Sequence, residues 1–131
     1  MRKLFSKRPQ PYYIYAPDYR RSSAGIRVMH MLCDVLNRSG QEAYITASVL
    51  NPRLMTPQLT DSVVELHRRQ NLEPIVVYPE IVDGNPLNGS TVVRYLLNLP
   101  GFIEGQGKYG GNDLMFAYMR RLLQPGMGED K

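Results

Sequence analysis

Nowhere in its 131 residues does the chain hold an apolar run near the roughly 18 residues that a membrane-crossing helix needs, so no span is expected. Cysteine occurs once, as Cys33, which excludes an internal disulfide and gives no sign of secretion. Residues 1–9 are basic but lack the apolar core of a signal peptide, so a cytoplasmic location is expected. Histidine is confined to His30 and His67, and no second His or Cys stands at ligand spacing, so no metal site is expected. A Gly-x-Gly-x-x-Gly loop, a Walker lysine and a Gly-x-Ser-x-Gly elbow are all missing, the last arguing against an α/β-hydrolase. The net charge of +4 comes largely from Arg2, Lys3, Lys7 and Arg8. The other arginines are dispersed and carry no nucleic-acid-binding signature, so a nucleic-acid partner is not expected.

What is present has the order of an α/β domain. The 43% hydrophobic content is ordinary for a globular chain, and the length fits one domain. Residues 1–11 read as a basic, flexible leader, 12–123 as the folded domain and 124–131 as a polar tail. Tyr12-Tyr13-Ile14-Tyr15-Ala16 is a strand signal, aromatic and β-branched and stopped by Pro17. Ile26, Met29, Cys33 and Leu36 then recur with helical period, with a serine cap in front and Gly40 behind. Residues 42–47 read as a second strand. Thr56-Pro57 reads as the start of a second helix running to Gln70. Ile75-Val76-Val77-Tyr78 is continuously apolar, as a strand buried on both faces would be. Residues 89–99 place Val92, Val93, Leu96 and Leu97 on one side, which predicts a third helix ended by Pro100-Gly101. A glycine-rich loop and a strand at 114–118 close the series. Strands alternating with helices predict a Rossmann-like, three-layer α/β/α domain with a mainly parallel sheet of about four strands.

Ligands of such sheets bind beyond the carboxyl ends of the strands, and two loops there carry polar side chains. The loop after the first strand holds Asp18, Arg20, Ser22, Ser23 and Gly25 at the start of a helix, whose positive end favours an anion. The same residues also suit plain capping and close helix packing. The loop after the third strand gathers Glu80, Asp83, Gly84 and Asn85, equipment for binding hydroxyls or for general-base work, and also an ordinary turn. His30 lies one helical turn before Asp34, a spacing at which the two can meet for acid–base work or as a surface contact. Cys33 falls on the apolar face and reads as core.

The string YYIYAPDYRRSSAGIRVMHMLCDVLNRSGQEAYI (residues 12–45) resembles the opening of bacterial glycosyltransferases with the two-Rossmann-domain GT-B architecture. PIVVYPEIVDGNPLNGSTVVRYLLNLPGFIEG (74–105) resembles the same proteins further along, and YGGNDLMFAY (109–118) does so more loosely. The resemblance implies one half of a GT-B fold, the N-terminal domain that binds the sugar acceptor. It implies substrate-binding roles for Asp18, Arg20, Ser22, Ser23, Gly25, Arg27, Gly84 and Asn85, and makes His30, Glu80 and Asp83 the catalytic candidates. It further implies a nucleotide-sugar donor for the complete enzyme, a sugar or glycan acceptor, and no cofactor in this domain. The donor-binding C-terminal domain and its carboxylate motif have no counterpart in the chain, so that domain is expected as a partner in cis or as a separate chain, and little transfer is expected without it. Two other readings stay open: a non-catalytic binding or docking module on the same fold, and a free-standing nucleotide-binding domain of flavodoxin-like topology.

Overall fold

Tyr12-Tyr13-Ile14 offers large side chains to both faces of a sheet, and it becomes a central strand with a parallel neighbour on each side. The computed structural model describes residues 9–96 and 109–117. Its elements run β1 (Tyr12–Ile14), α1 (Ala24–Arg38), β2 (Ala43–Ile45), α2 (Asp61–Arg69), β3 (Ile75–Pro79), β4 (Thr91–Leu96) and β5 (Leu114–Ala117). All five strands are parallel and lie in the order β2-β1-β3-β4-β5. The fold is α/β and Rossmann-like, with five strands among the described residues where about four were expected. This is the doubly wound order 2-1-3-4-5 of flavodoxin-like sheets, not the 3-2-1-4-5-6 of dinucleotide-binding ones.

α1 forms because its apolar positions make one stripe, and its ends are closed as the sequence suggests. The Ser23 hydroxyl accepts from the Ile26 N–H at 3.3 Å, and Gly40 takes a left-handed φ of 91° just beyond the Ser39 C-cap. Met29 and Cys33 pack on Ile14, Ala43, Ile45 and Val77, forming the core on one face of the sheet. From β2 the chain passes beneath β1 to reach β3, and right-handed crossovers then put α2 on the other face. There Tyr13, Val76, Tyr78 and Val92 form a second core with Tyr44 and Leu59 against it.

Three expectations change. Residues 89–99 are not a helix: Thr91–Leu96 is β4, between β3 and β5. A strand covered on both faces is apolar throughout, which a helical period also satisfies, and here the β-branched run Thr91-Val92-Val93 settles the conformation in favour of the sheet. Residues 97–100, the end of that expected helix, and 101–108 of the glycine-rich loop lie outside the described residues. α2 starts later than Thr56-Pro57, capped by the Thr60 hydroxyl accepting from the Val63 N–H at 3.3 Å. Residues 57–59 instead run along β2: Ile45 donates to the Pro57 carbonyl at 2.9 Å and accepts from the Leu59 N–H at 2.7 Å. Packing also begins inside the expected leader. The Gln10 side chain accepts from the Glu73 N–H at 2.6 Å, and Pro11 is buried beside β3.

The short strand β2 is braced by one side chain of α1. Asn37 donates to the Ala43 and Met55 carbonyls at 3.0 and 2.9 Å and accepts from the Ala43 N–H at 2.9 Å. On the α1 side of β3–β5 an apolar groove of about 370 Å³ remains open, bordered by Leu32, Val93, Tyr95 and the exposed Phe116. Among the described residues no helix is long and apolar enough to cross a membrane.

Candidate functional site

In a doubly wound sheet the chain's two directions of travel part at one pair of strands, and the loops leaving that pair diverge to opposite faces. Here the pair is β1 and β3, hydrogen-bonded in register from Tyr12 with Ile75 to Ile14 with Val77. The loop carrying Asp18, Arg20, Ser22, Ser23 and Gly25 leaves β1 toward the α1 face. The loop carrying Glu80, Asp83, Gly84 and Asn85 leaves the same edge of β3 toward the α2 face, where Val82 and Leu87 pack. The two polar loops therefore start side by side, at the same edge of neighbouring strands.

Within the first loop the residues divide by task. Asp18 is a tie: one carboxylate oxygen accepts from the Ser48 and Val49 N–H groups at 2.8 and 3.0 Å, and Tyr19 donates to the Val49 carbonyl at 2.8 Å. Those two amides hold the Asp18 carboxyl below its ordinary range. Ser23 is spent on the cap and on a turn from Arg20, its N–H donating to the Arg20 carbonyl at 3.2 Å. Arg20, Ser22 and Arg27 are exposed, and the first turn of α1 contains no acid to offset its positive end. His30 is fully buried, its Nε2 donating to the Pro17 carbonyl at 2.9 Å under the edge of the Tyr19 ring at 5.2 Å. Its Nδ1 has no hydrogen-bond partner among the described residues. Asp34 turns instead to Arg38 and the Met55 N–H, each at 2.7 Å, so the His30–Asp34 spacing does not become a working pair. His30 shapes the loop from beneath.

The second loop is held by side chains that the sequence does not single out. Arg94, only 1% exposed, lies between the rings of Tyr78 and Tyr109, with its carbon 4.8 and 4.6 Å from their centroids. It donates to Asp113 at 2.7 Å, to the Val82 carbonyl at 2.8 Å and to the Gly84 carbonyl. Asn85 is an internal brace: it accepts from the Tyr78 hydroxyl at 2.6 Å and the Gly89 N–H at 3.1 Å and donates to the Gly89 carbonyl at 2.9 Å. Gly84, at φ 74°, makes the left-handed turn that brings its carbonyl to Arg94. Tyr109 donates to the Glu80 carbonyl at 2.6 Å. Burial, and next the negative charge of Glu80, push its phenol up to about 12, so it stays a neutral donor beside the carboxylates of this loop. Glu80 itself is 2% exposed, while Asp83 is half-buried.

No protein-family model, curated protein or solved structure matches this chain.

A different polar cluster sits at the amino edge of the sheet. His67 donates from Nε2 to Glu42 at 2.8 Å and accepts at Nδ1 from the Tyr13 hydroxyl at 2.6 Å. It clamps α2 to β1 and to the start of β2, away from the loops. Among the described residues no three of His, Cys, Asp and Glu gather closely enough to hold a metal ion.

Proposed function

We propose that this chain is the acceptor-side domain of a glycosyltransferase, one wall of a cleft in which a sugar passes from a nucleotide-sugar to a glycan or other acceptor. The observation that carries it is the pairing of β1 with β3. The two sequence blocks that resemble glycosyltransferases each carry a polar loop that leaves one edge of neighbouring strands, at the switch point where doubly wound sheets take ligands. On this proposal Arg20, Ser22 and Arg27 meet hydroxyls or a developing phosphate charge from the first loop. Glu80 and Asp83 supply carboxylates from the second, Asp83 being the more accessible candidate for accepting a proton from an attacking hydroxyl. Asp18, Ser23, Asn85 and Gly84 keep the loops in place, and His30 supports the first from below. The nucleotide-sugar would sit on a separate donor-binding domain, in the cytoplasm.

The test is transfer. The chain joined to, or mixed with, a donor-binding domain should move sugar from a nucleotide-sugar, and Asp83→Asn should cut the turnover at least tenfold without changing the fold. A correctly folded assembly that transfers nothing from any donor offered rejects the proposal.

The strand order favours one second reading, a free-standing nucleotide-binding domain, because flavodoxin-like sheets hold their ligand at this same switch point. Calorimetry separates the two: tight binding of a mononucleotide by the lone chain is the outcome of the second reading only.

A further inference from the structure

We propose that the chain carries another ligand site, between the loops after β1 and β2, where Arg21 and Arg53 grip a phosphorylated ligand. It shares the β1 loop with the proposed cleft but depends on Arg21, the β2 loop and Arg53, none of which that cleft uses, so its failure would leave the glycosyltransferase proposal standing, and the reverse.

The hollow there holds about 870 Å³ and is lined by Tyr19, Arg21, Leu50, Asn51, Pro52 and Arg53. That volume lies within the range of small-molecule sites, roughly 300–1,000 Å³. Its polar lining donates hydrogen bonds and is poor in acceptors. The two guanidinium groups only donate. Asn51 spends its side-chain oxygen on the Arg53 N–H at 2.9 Å, which leaves its two amide hydrogens for a ligand. The Tyr19 hydroxyl adds a further donor. Among the described residues no Asp or Glu lines the hollow and no carboxylate pairs with Arg21 or Arg53, whereas Arg38, Arg68, Arg69 and Arg94 all have one. The acid of the first loop is committed, since Asp18 accepts from Ser48 and Val49.

Those same bonds make the hollow a built feature. Asp18 and the Tyr19 N–H fasten the β1 loop to the β2 loop, and the Leu54 N–H closes a turn on the Asn51 carbonyl at 3.0 Å. The Arg38 guanidinium, anchored by Asp34, donates to the Arg53 carbonyl at 3.3 Å and fixes the backbone from which the Arg53 side chain springs. Walls fixed in advance reduce the ordering cost of binding. A donor-rich lining with two planar cations matches an oxyanion of high charge density, and guanidinium groups bind phosphate through paired N–H bonds. Leu50, Pro52 and the Tyr19 ring give such a ligand an apolar surface for a sugar ring.

The test titrates the full chain with pyrophosphate, glucose 1-phosphate, sulfate and glucose, following backbone amides by NMR and affinity by calorimetry. Saturable shifts at Tyr19, Arg21, Asn51 and Arg53 are expected with both phosphorylated probes. Arg21→Gln and Arg53→Gln should each weaken binding about fivefold, and Arg69→Gln, on α2, should leave it unchanged. Tighter binding of glucose 1-phosphate than of pyrophosphate would support a sugar phosphate as the occupant, and the reverse order a diphosphate. The proposal is overturned if phosphorylated probes do not saturate, if glucose or sulfate binds as tightly, or if Arg69→Gln weakens binding as much as the other two. Arg21 and Arg53 are exposed, so both variants should keep the parent spectrum elsewhere.

Discussion

Replacing Asp113 by alanine removes the only carboxylate paired with Arg94 among the described residues. The guanidinium is 1% exposed and the Asp113 side chain 8%, so water cannot take over the lost partner without opening the structure. Removing one member of a buried pair costs about 3–5 kcal/mol, because the other charge stays in a poor solvent. The carbonyls of Val82 and Gly84 and the rings of Tyr78 and Tyr109 remain as partial compensation. The Gly110 N–H, which donates to Asp113 at 2.9 Å, loses its acceptor as well. We therefore expect a loss of about 3–4 kcal/mol, a large share of the ~5–15 kcal/mol of a typical domain. In urea unfolding followed by circular dichroism, with a slope of roughly 1–3 kcal/mol per molar, the midpoint should fall by about 2 M. The double variant Asp113→Ala with Arg94→Met should lose less than Asp113→Ala alone, since no stranded charge is left. A loss below about 1 kcal/mol for Asp113→Ala, or simple additivity in the cycle, would refute the view that this pair is a desolvated anchor of the β3 loop.

Other expectations follow from the same contacts. Tyr13→Phe leaves the His67 Nδ1 acceptor without its donor in a site that is 2% exposed, which should cost about 1–3 kcal/mol in thermal or urea unfolding. Burial, and next the charge of Glu42, push the Tyr13 phenol from 10.0 to about 12. A folded-state value above the unfolded one means that Tyr13's contribution is intact below pH 10 and disappears between pH 10 and about 12. Absorbance titration of tyrosine should accordingly show Tyr13, Tyr44 and Tyr109 ionising last, near 12, and early ionisation of all tyrosines would contradict that burial. Gly89→Ala would put a methyl group 2.6 Å from both γ-carbons of Val76, a fully buried residue of a central strand, and should cost about 1–3 kcal/mol by urea unfolding. Asp18→Asn should loosen the tie between the first two loops, seen as faster amide exchange at Ser48 and Val49. Because the folded state lowers the Asp18 pKa, the tie should be complete above the unfolded value of 3.8 and weaken as pH falls below it.

The first three strands and α1 are legible in the sequence because each depends on local pattern: β-branched runs between prolines, and an apolar stripe between Ser23 and Gly40. β4 is not, since an apolar strand in the middle of a parallel sheet and one side of a helix present the same letters. Arg94 added to the confusion. On a helix it would stand on the solvent side, whereas on β4 it points into the α2 face, a placement that depends on Asp113, nineteen residues further on. The candidate site divides the same way. Which loops matter follows from strand order, but which residues within them are available does not. Asp18, Ser23 and Asn85 look like ligand-binding side chains in the sequence and are consumed by backbone groups of their own or neighbouring loops. Tyr109 and Arg53 carry no local signal, because each acquires its role from a loop that folds beside it.

The bracing of β2 by Asn37 bears on how copies of this protein can meet. An outermost strand normally offers a row of open amides and carbonyls onto which another chain's strand can zip. Here the Asn37 amide satisfies both backbone groups of Ala43, and residues 57–59 occupy those of Ile45, forming a stub of extra strand laid along the rim. That rim is sealed by the molecule's own atoms, so filament growth by strand addition through β2 would first have to peel away four native hydrogen bonds.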